Sequence, residues 1–244
     1  SKILRKVSRN NTKDCFALKY DIKKFFDSIN HEILLSILGR RIKDKEAMPL
    51  LTEIVGSFAS GAIRERGETF GSGMPIGNLT SQLFANIYLS EFDHFVKHKL
   101  KVKNYVRYTD DFVIVSGSRG CLEHLIKPVS EFLKENLKLS LHPQKVSLRK
   151  YRQGIDFLGY VILPYHIVVR TKTKRRIFRK LRKRLVDCYK NGDLSKEVLK
   201  QSAASYLGVL SHANSFKLTN RLKEMLSDDK QLTAKSPGDF YKVE

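Results

Sequence analysis

Asp110-Asp111 lies between two runs of strand-forming residues, Tyr105-Val106-Arg107-Tyr108 and Phe112-Val113-Ile114-Val115. The pattern predicts a hairpin with Thr109-Asp110-Asp111 as its turn. Adjacent carboxylates repel each other, and holding them together is costly unless a cation sits between them. Hard oxygen ligands of this kind suit Mg²⁺, which keeps waters and substrate phosphates as its other ligands. Aspartate is also an ordinary turn residue, so the dipeptide alone decides nothing. A third acid, Asp21, ends the alternating run Phe16-Ala17-Leu18-Lys19-Tyr20. If the two strands are neighbours in one sheet, three carboxylates converge. That arrangement suits two divalent ions about 3.5–4 Å apart, one activating an attacking oxygen and one stabilising a leaving oxygen. Phosphoryl transfer needs such positioning and charge neutralisation more than covalent help.

The elements around these acids read as mixed α and β. Asn30 is a suitable N-cap for a helix over His31 to Arg41, with Ile33, Leu34, Ile37 and Leu38 on its apolar face. A second helix is expected over about Lys45 to Ala59. A glycine-rich stretch, 56–77, then leads to a long helix over about Thr80 to Leu100, with Leu83, Phe84, Ile87, Tyr88, Phe92 and Phe95 as its apolar stripe. Glycines ahead of a helix let a backbone approach a phosphate or base closely. An amphipathic helix follows over about Cys121 to Leu137, then a short strand before His142. Ile155–Ile162 and Ile167–Arg170 read as a hairpin turning at Pro164. Asp27 and Asp93 read as helix-boundary or surface charges.

Composition shifts near residue 170. Lys172, Lys174, Arg175, Arg176, Arg179, Lys180, Arg182, Lys183 and Arg184 are not interrupted by an acid, and Ile177, Leu181 and Leu185 form a narrow apolar seam. Helices over about Ser195 to Leu210 and Ser215 to Leu226 follow. The division expected is a mixed domain over 1–170 and a small basic helical domain over 171–244. The 244 residues carry a formal net charge of +21, which implies a polyanionic partner. No apolar run approaches the ~20 residues of a membrane span. The narrow seam and the lack of Trp favour nucleic acid over a lipid surface as the partner of the basic helix. Cys15, Cys121 and Cys188 form no CxxC pair, and no signal peptide is evident, so a cytoplasmic setting is expected. His94 and His98 have metal-ligand spacing, but no third ligand is evident.

Five segments, in order, resemble motifs A to E of reverse transcriptases. They are Asp21-Ile-Lys-Lys-Phe-Phe, Gly73-Met-Pro-Ile-Gly-Asn-Leu-Thr-Ser-Gln, Tyr108-Thr-Asp-Asp, Lys145 and Phe157-Leu-Gly-Tyr. The likeness runs from about residue 14 to 226 and is nearest to bacterial enzymes related to group II introns. Within these, Ile76-Gly77-Asn78-Leu79-Thr80-Ser81-Gln82 departs from the usual Gln-Gly-x-x-x-Ser-Pro and is similar to the form in diversity-generating retroelements. Ser205-Tyr206-Leu207-Gly208 and His212-Ala213-Asn214 resemble the thumb of those enzymes.

The resemblance implies an α+β right-hand polymerase palm, an antiparallel sheet backed by helices, followed by a helical thumb. It implies RNA-directed DNA synthesis on a bound template RNA, primer and RNA/DNA hybrid, with dNTPs and two Mg²⁺ ions, Mn²⁺ being a substitute. Asp21, Asp110 and, less directly, Asp111 would hold metal, with the Ile22 carbonyl completing a shell. Lys23, Phe25, Phe26, Ile76 and Gly77 would bound the dNTP. Phe26 is the aromatic placed to exclude a 2′-hydroxyl, and Phe25 is better suited to the core. Ile76, an alkyl group where most relatives carry an amide, would separately loosen base selection. Asn78, Ser81 and Gln82 would face the template, and Lys145 would assist the leaving pyrophosphate. Leu158, Gly159 and Tyr160 would grip the primer. Lys174, Arg175, Arg176, Arg179 and Arg182 would track the nucleic-acid backbone. A small basic accessory protein oligomer is the further partner implied, with no membrane. About twenty residues precede Asp21, so the fingers region of the family is expected to be absent from this stretch. A group II intron maturase, a defence-associated enzyme and a non-catalytic RNA-binding palm–thumb are the other readings.

Overall fold

A short helix, α1 (Lys2–Val7), leads into β1 (Phe16–Asp21), whose side chains point alternately to the two faces of a sheet, with Ala17, Leu18 and Tyr20 buried. The computed structural model describes residues 1–57, 71–75, 77–142, 146–191 and 193–227. Ile76 and Lys145 therefore lie outside the described residues, as does the middle of the glycine-rich stretch. Contacts divide the chain into two units, Ser1–Tyr151 and Arg152–Glu244.

In the first unit, β1 is followed by α2 (His31–Arg41), α3 (Ala47–Gly56) and α4 (Leu79–His94). The Asn30 side chain accepts from the Ile33 N–H at 2.9 Å, capping α2 as its sequence predicts. The helix expected over Thr80 to Leu100 is α-helical to His94 and then widens into a π-turn over Phe95–Lys99. The hairpin β2 (Tyr105–Tyr108) and β3 (Asp111–Ser116) comes next, then α5 (Arg119–Leu137) and β4 (Ser147–Lys150). All pairings are antiparallel, in the order β2-β3-β1-β4. The strand expected before His142 is reduced to an isolated bridge between Ile22 and Leu141.

Period-two alternation gives this sheet two unlike faces. Leu18 and Tyr20 of β1 and Phe112 and Ile114 of β3 are buried against residues of α2, α4 and α5. The Tyr20 and Phe112 rings stack at 4.8 Å between centroids, and Phe92 of α4 meets Phe112 edge-on at the same separation. The Tyr20 hydroxyl has no hydrogen-bond partner among the described residues, and burial pushes its pKa above the usual range. Lys19, Asp21 and Asp111 belong to the other face, which is buried at Ala17, Val113 and Val115 and opens at the end that carries the acids.

The second unit begins with β5 (Ile155–Phe157), β6 (Tyr160–Ile162) and β7 (Ile167–Val169). The sequence predicts one long strand over Ile155–Ile162; instead the chain reverses at Leu158-Gly159 and again at 163–166. Leu158 has φ +52 and Gly159 has φ +83, the two left-handed positions that a type I′ hairpin requires. A leucine in the first of these positions hid the turn from a reading based on composition. Three helices follow among the described residues of the unit: α6 (Thr171–Asn191), α7 (Asp193–Ser211) and α8 (Phe216–Ser227). Val169, Ile177, Phe178, Leu181, Leu199 and Leu222 form its core, with Tyr160 packed against it. The contact boundary at Tyr151 thus precedes the change of composition near 170. The charge run marks where α6 begins, whereas β7 already shares the core of the helices.

Gly159 allows a direct check of the turn. A Cβ there would lie 3.1 Å from Thr173 Oγ1, on a backbone that L-residues adopt at a cost. Gly159→Ala is expected to lower stability by about 1–2 kcal/mol. The measurement is the urea midpoint at unchanged slope; no shift would contradict the left-handed assignment.

Candidate active site

Asp21 and Asp111 are register partners across β1 and β3, so their carboxylates leave the same, open face side by side. Tyr108, the β2 partner of Asp111, is 59% exposed and continues that row across a third strand. Asp111 is therefore the first residue of β3, and the turn itself is only Thr109-Asp110. Burial raises the Asp111 carboxyl above its usual range; Lys19 opposes the rise, while Asp110 and Asp21 reinforce it. The Lys19 Nζ lies 3.5 Å from Asp111 Oδ1, a diagonal pair on the open face. The Asp111 carboxyl therefore lies within reach of the charges of both other acids.

Among the described residues no three His, Cys, Asp or Glu side chains are already gathered as a chelate. The donor set nevertheless fits a hard divalent cation. It consists of carboxylate oxygens whose mutual repulsion a cation would relieve. The Ile22 carbonyl fits the same set. His142 N–H donates to the Asp21 carbonyl and Lys23 N–H to the Ser140 carbonyl, both at 2.8 Å, so the peptide groups of Ile22 are directed away from that segment, toward the β3 side.

The turn that carries Asp110 is strained and braced. Thr109 has φ +53, unusual for a β-branched residue. Its hydroxyl is 3.0 Å from Asp110 Oδ1, and its carbonyl accepts from Arg107 Nη1 at 3.0 Å. Arg107 also donates through Nε and Nη2 to the two oxygens of Asp93, at 2.8 and 2.6 Å, and through Nη1 to Asn86 Oδ1 at 3.1 Å. Tyr105 donates to Asp93 Oδ1 at 2.7 Å. Burial and the Asp93 charge push the Tyr105 hydroxyl well above its usual range, so it stays a donor at ordinary pH. Asp93, read from sequence as a helix-boundary or surface charge, does lie at the end of α4, and it also anchors the hairpin to that helix. No local signal marks it, because its partners lie on β2.

The residues expected at the substrate divide. Phe25 is 2% exposed and belongs to the core, as its alternative reading has it, not to a dNTP pocket. Phe26 is half-buried and meets Phe25 edge-on at 5.3 Å, while Lys23 is exposed. Gly77 has φ +101, and a Cβ there would meet nothing within 4 Å, so backbone conformation rather than crowding favours glycine. Asn78 and Gln82 are exposed at the start of α4. Ser81 does not face outward with them. It is fully buried, its Oγ without a partner among the described residues, because a helix carries the residues before and after an exposed position around to other faces. Leu83, expected on the apolar stripe, is 59% exposed beside Gln82.

In the second unit, Leu158 presents a 43% exposed side chain at the tip of the β5–β6 turn. The Gly159 carbonyl accepts from Arg170 N–H at 2.9 Å, and Arg170 Nε pairs with Asp156 at 2.9 Å. Tyr160 points the other way and donates to the Val209 carbonyl at 3.0 Å. Along α6, Ile177, Phe178, Leu181, Leu185 and Cys188 are buried. Arg175, Arg176 and Arg179 are exposed, and Lys174 and Arg182 are half-exposed. None of the described helices is long and apolar enough to cross a membrane.

Comparison with known proteins agrees with this geometry. The chain is 27% identical over 207 residues to the group II intron-encoded protein LtrA of Lactococcus lactis, covering 58% of this chain and 34% of that one. It is 27% identical over 186 residues to protein YkfC of Escherichia coli, covering 62% of this chain and 48% of that one. The chain thus spans half or less of the length of these relatives. Among solved structures, a Candida tropicalis telomerase in complex with a fragment of telomeric RNA superposes with a TM-score of 0.53 at 12% identity, over 93% of this chain and 45% of that one. At that identity the likeness is one of fold, and it is the likeness expected of a polymerase palm followed by a helical thumb. The family model for reverse transcriptase (RNA-dependent DNA polymerase) matches residues 2–162. A match over that much of the sequence means that the chain belongs to the reverse transcriptase family.

Proposed function

We propose that this chain supplies the palm and thumb of an RNA-directed DNA polymerase, of the type that serves diversity-generating retroelements. The observation that carries the polymerase reading is the register pairing of Asp21 with Asp111 on an open sheet face, with Asp110 on the braced turn beside them. Asp21, Asp110, Asp111 and the Ile22 carbonyl would hold the divalent ions. Such ions would supply the acidification of a primer 3′-hydroxyl and charge neutralisation at the departing pyrophosphate. Phe26 and Lys23 bound the sugar and phosphates of the dNTP, with Ile76 and Gly77 at the base pair. Asn78 and Gln82 face the template. Lys145 assists the leaving group. Leu158 and Gly159 grip the primer, and Tyr160 anchors their hairpin to α7.

The departure at Ile76-Gly77-Asn78-Leu79-Thr80-Ser81-Gln82 supports the retroelement assignment, with a structured template RNA, a small basic accessory oligomer and a cytoplasmic setting. The similarity to LtrA supports a second reading, an intron-type reverse transcriptase. Primer extension on RNA templates by the full protein separates them. Frequent misincorporation opposite template adenine favours the first reading, accurate copying favours the second, and no dNTP incorporation on any RNA template excludes both.

The exposed arginines of α6 lead to a separate expectation. Phosphate contacts release counterions, so affinity falls with salt in proportion to their number. Replacing Arg175, Arg176, Arg179 and Arg182 with Ala is expected to reduce the slope of log K against log salt by about 3–4, with little change in sequence preference. An unchanged slope in hybrid-duplex titrations would place this face of α6 away from the duplex.

A further inference from the structure

His31 is fully buried at the start of α2, and its Nε2 lies 2.8 Å from the Gly73 carbonyl oxygen. A carbonyl only accepts, so Nε2 carries the proton. Nδ1 is then a buried acceptor with no hydrogen-bond partner among the described residues. An unpaired buried acceptor is unfavourable, and an apolar side chain would fill this space without it. What the imidazole supplies in return is the bond to Gly73. Three backbone bonds run beside it. Met74 N–H donates to the Phe26 carbonyl at 2.8 Å, Gly73 N–H to the Ile29 carbonyl at 2.9 Å and His31 N–H to the Gly71 carbonyl at 3.3 Å. Asn30 and Ser72 form a β-bridge in the same place. Residues 26–31 and 71–74 are therefore laced together, and the His31 ring is the side-chain member of the lacing.

We infer that His31 is a positioning residue that couples sugar selection to base-pair selection. The inference rests on the polymerase reading above, in which Phe26 bounds the sugar and the segment after Gly73 bounds the base pair. Phe26 contributes its carbonyl to the lacing, and Gly73 and Met74 contribute their N–H groups. Gly73 has φ +101, a conformation that few side chains would enforce for it, so its carbonyl direction depends on what it bonds. His31 fixes that direction from the core. Buried as it is, the ring reaches no substrate and acts only through Gly73. The separate tasks that the family resemblance implies for Phe26 and for Gly77, four residues beyond Gly73, thereby share one support. A shift of that support moves both walls of the pocket.

The test compares His31→Leu, which fills the space without a donor, with His31→Gln, whose amide can still donate to Gly73. Amide exchange is followed at Gly73 and Met74 in the full protein, and single-nucleotide extension scores each dNTP and rNTP on matched RNA templates. His31→Leu is expected to speed exchange at Gly73 and Met74 by about tenfold while α5 keeps its protection. Preference for dNTP over rNTP and preference for the matched base are expected to fall together, and His31→Gln is expected to restore both. If His31→Leu does not fold, His31→Asn, an amide too short to span the gap, takes its place with the same expectation. Unchanged exchange overturns the lacing role, and a change in only one of the two selectivities overturns the coupling. If the unaltered protein incorporates no nucleotide, the polymerase reading fails, while the exchange rates still decide whether His31 holds Gly73.

Discussion

Asp110→Asn is expected to lower primer extension by about a thousandfold or more, because a metal-binding carboxylate supplies several kcal/mol of charge stabilisation in the transition state. Asparagine keeps the shape of the side chain and the oxygen that faces the Thr109 hydroxyl, so the turn should survive. Affinity for RNA or hybrid duplex should change little, because phosphate contacts are assigned to α6, in the other unit. Asp111→Asn should be milder. Asp111 is already paired with Lys19, and its carboxyl is raised above its usual range by burial, with the Asp110 and Asp21 charges adding to the effect. The comparison is made by single-turnover extension at saturating Mg²⁺, with thermal unfolding as the control for folding. If Asp110→Asn extends primers as well as the unaltered protein does, the three acids are not the reacting centre.

The second large effect concerns Arg107. Removing one member of a bidentate, mostly buried pair leaves the other charge uncompensated, at a cost of about 3–5 kcal/mol in a fully buried site. The Arg107 side chain is 12% exposed and that of Asp93 is 29%, so Arg107→Met is expected near the lower end, about 3 kcal/mol. Arg107 Nη1 also holds the Thr109 carbonyl, so extension should slow even at temperatures where the variant is fully folded. Asp93→Leu in the same chain removes the stranded carboxylate, and the double variant should regain part of the lost stability. It should not regain the rate, since Thr109 is still without its brace. Urea unfolding of the two single variants and the double variant measures the coupling. Simple additivity would mean that the pair is not an energetic unit.

The acids were legible in sequence because each of their signals is local. Alternation fixes which face Asp21 takes, and a polar pair between two apolar runs fixes the turn. The helices were legible for the same reason, with Asn30 marking the start of α2. The braces were not. Arg107 and Asp93 are ordinary residues until β2 is laid beside α4, and His31 reads only as the first residue of a helix until Gly73 is folded over it. Ser81 was misplaced because one turn of helix buries a residue whose neighbours are exposed. The β5–β6 turn escaped the reading of residue pattern because Leu158 occupies a left-handed position usually filled by Asn, Asp or Gly; only the family resemblance implied a hairpin at Leu158-Gly159-Tyr160.

The two-faced sheet also restricts how this palm can change in length. A strand has parity. One residue added to or lost from β1 between Tyr20 and its partner rows would carry the Asp21 carboxylate into the aromatic layer and the Tyr20 ring out to the open side. A change of two residues would restore the faces but move Asp21 one ladder step away from Asp111. Neither frame keeps both the stacked rings and the acidic pair. Insertions and deletions within β1 are therefore expected to disrupt the site in either parity unless a bulge absorbs them. Tolerated length variation in descendants of this sequence is confined to the connections between elements, where no alternation has to be kept in phase.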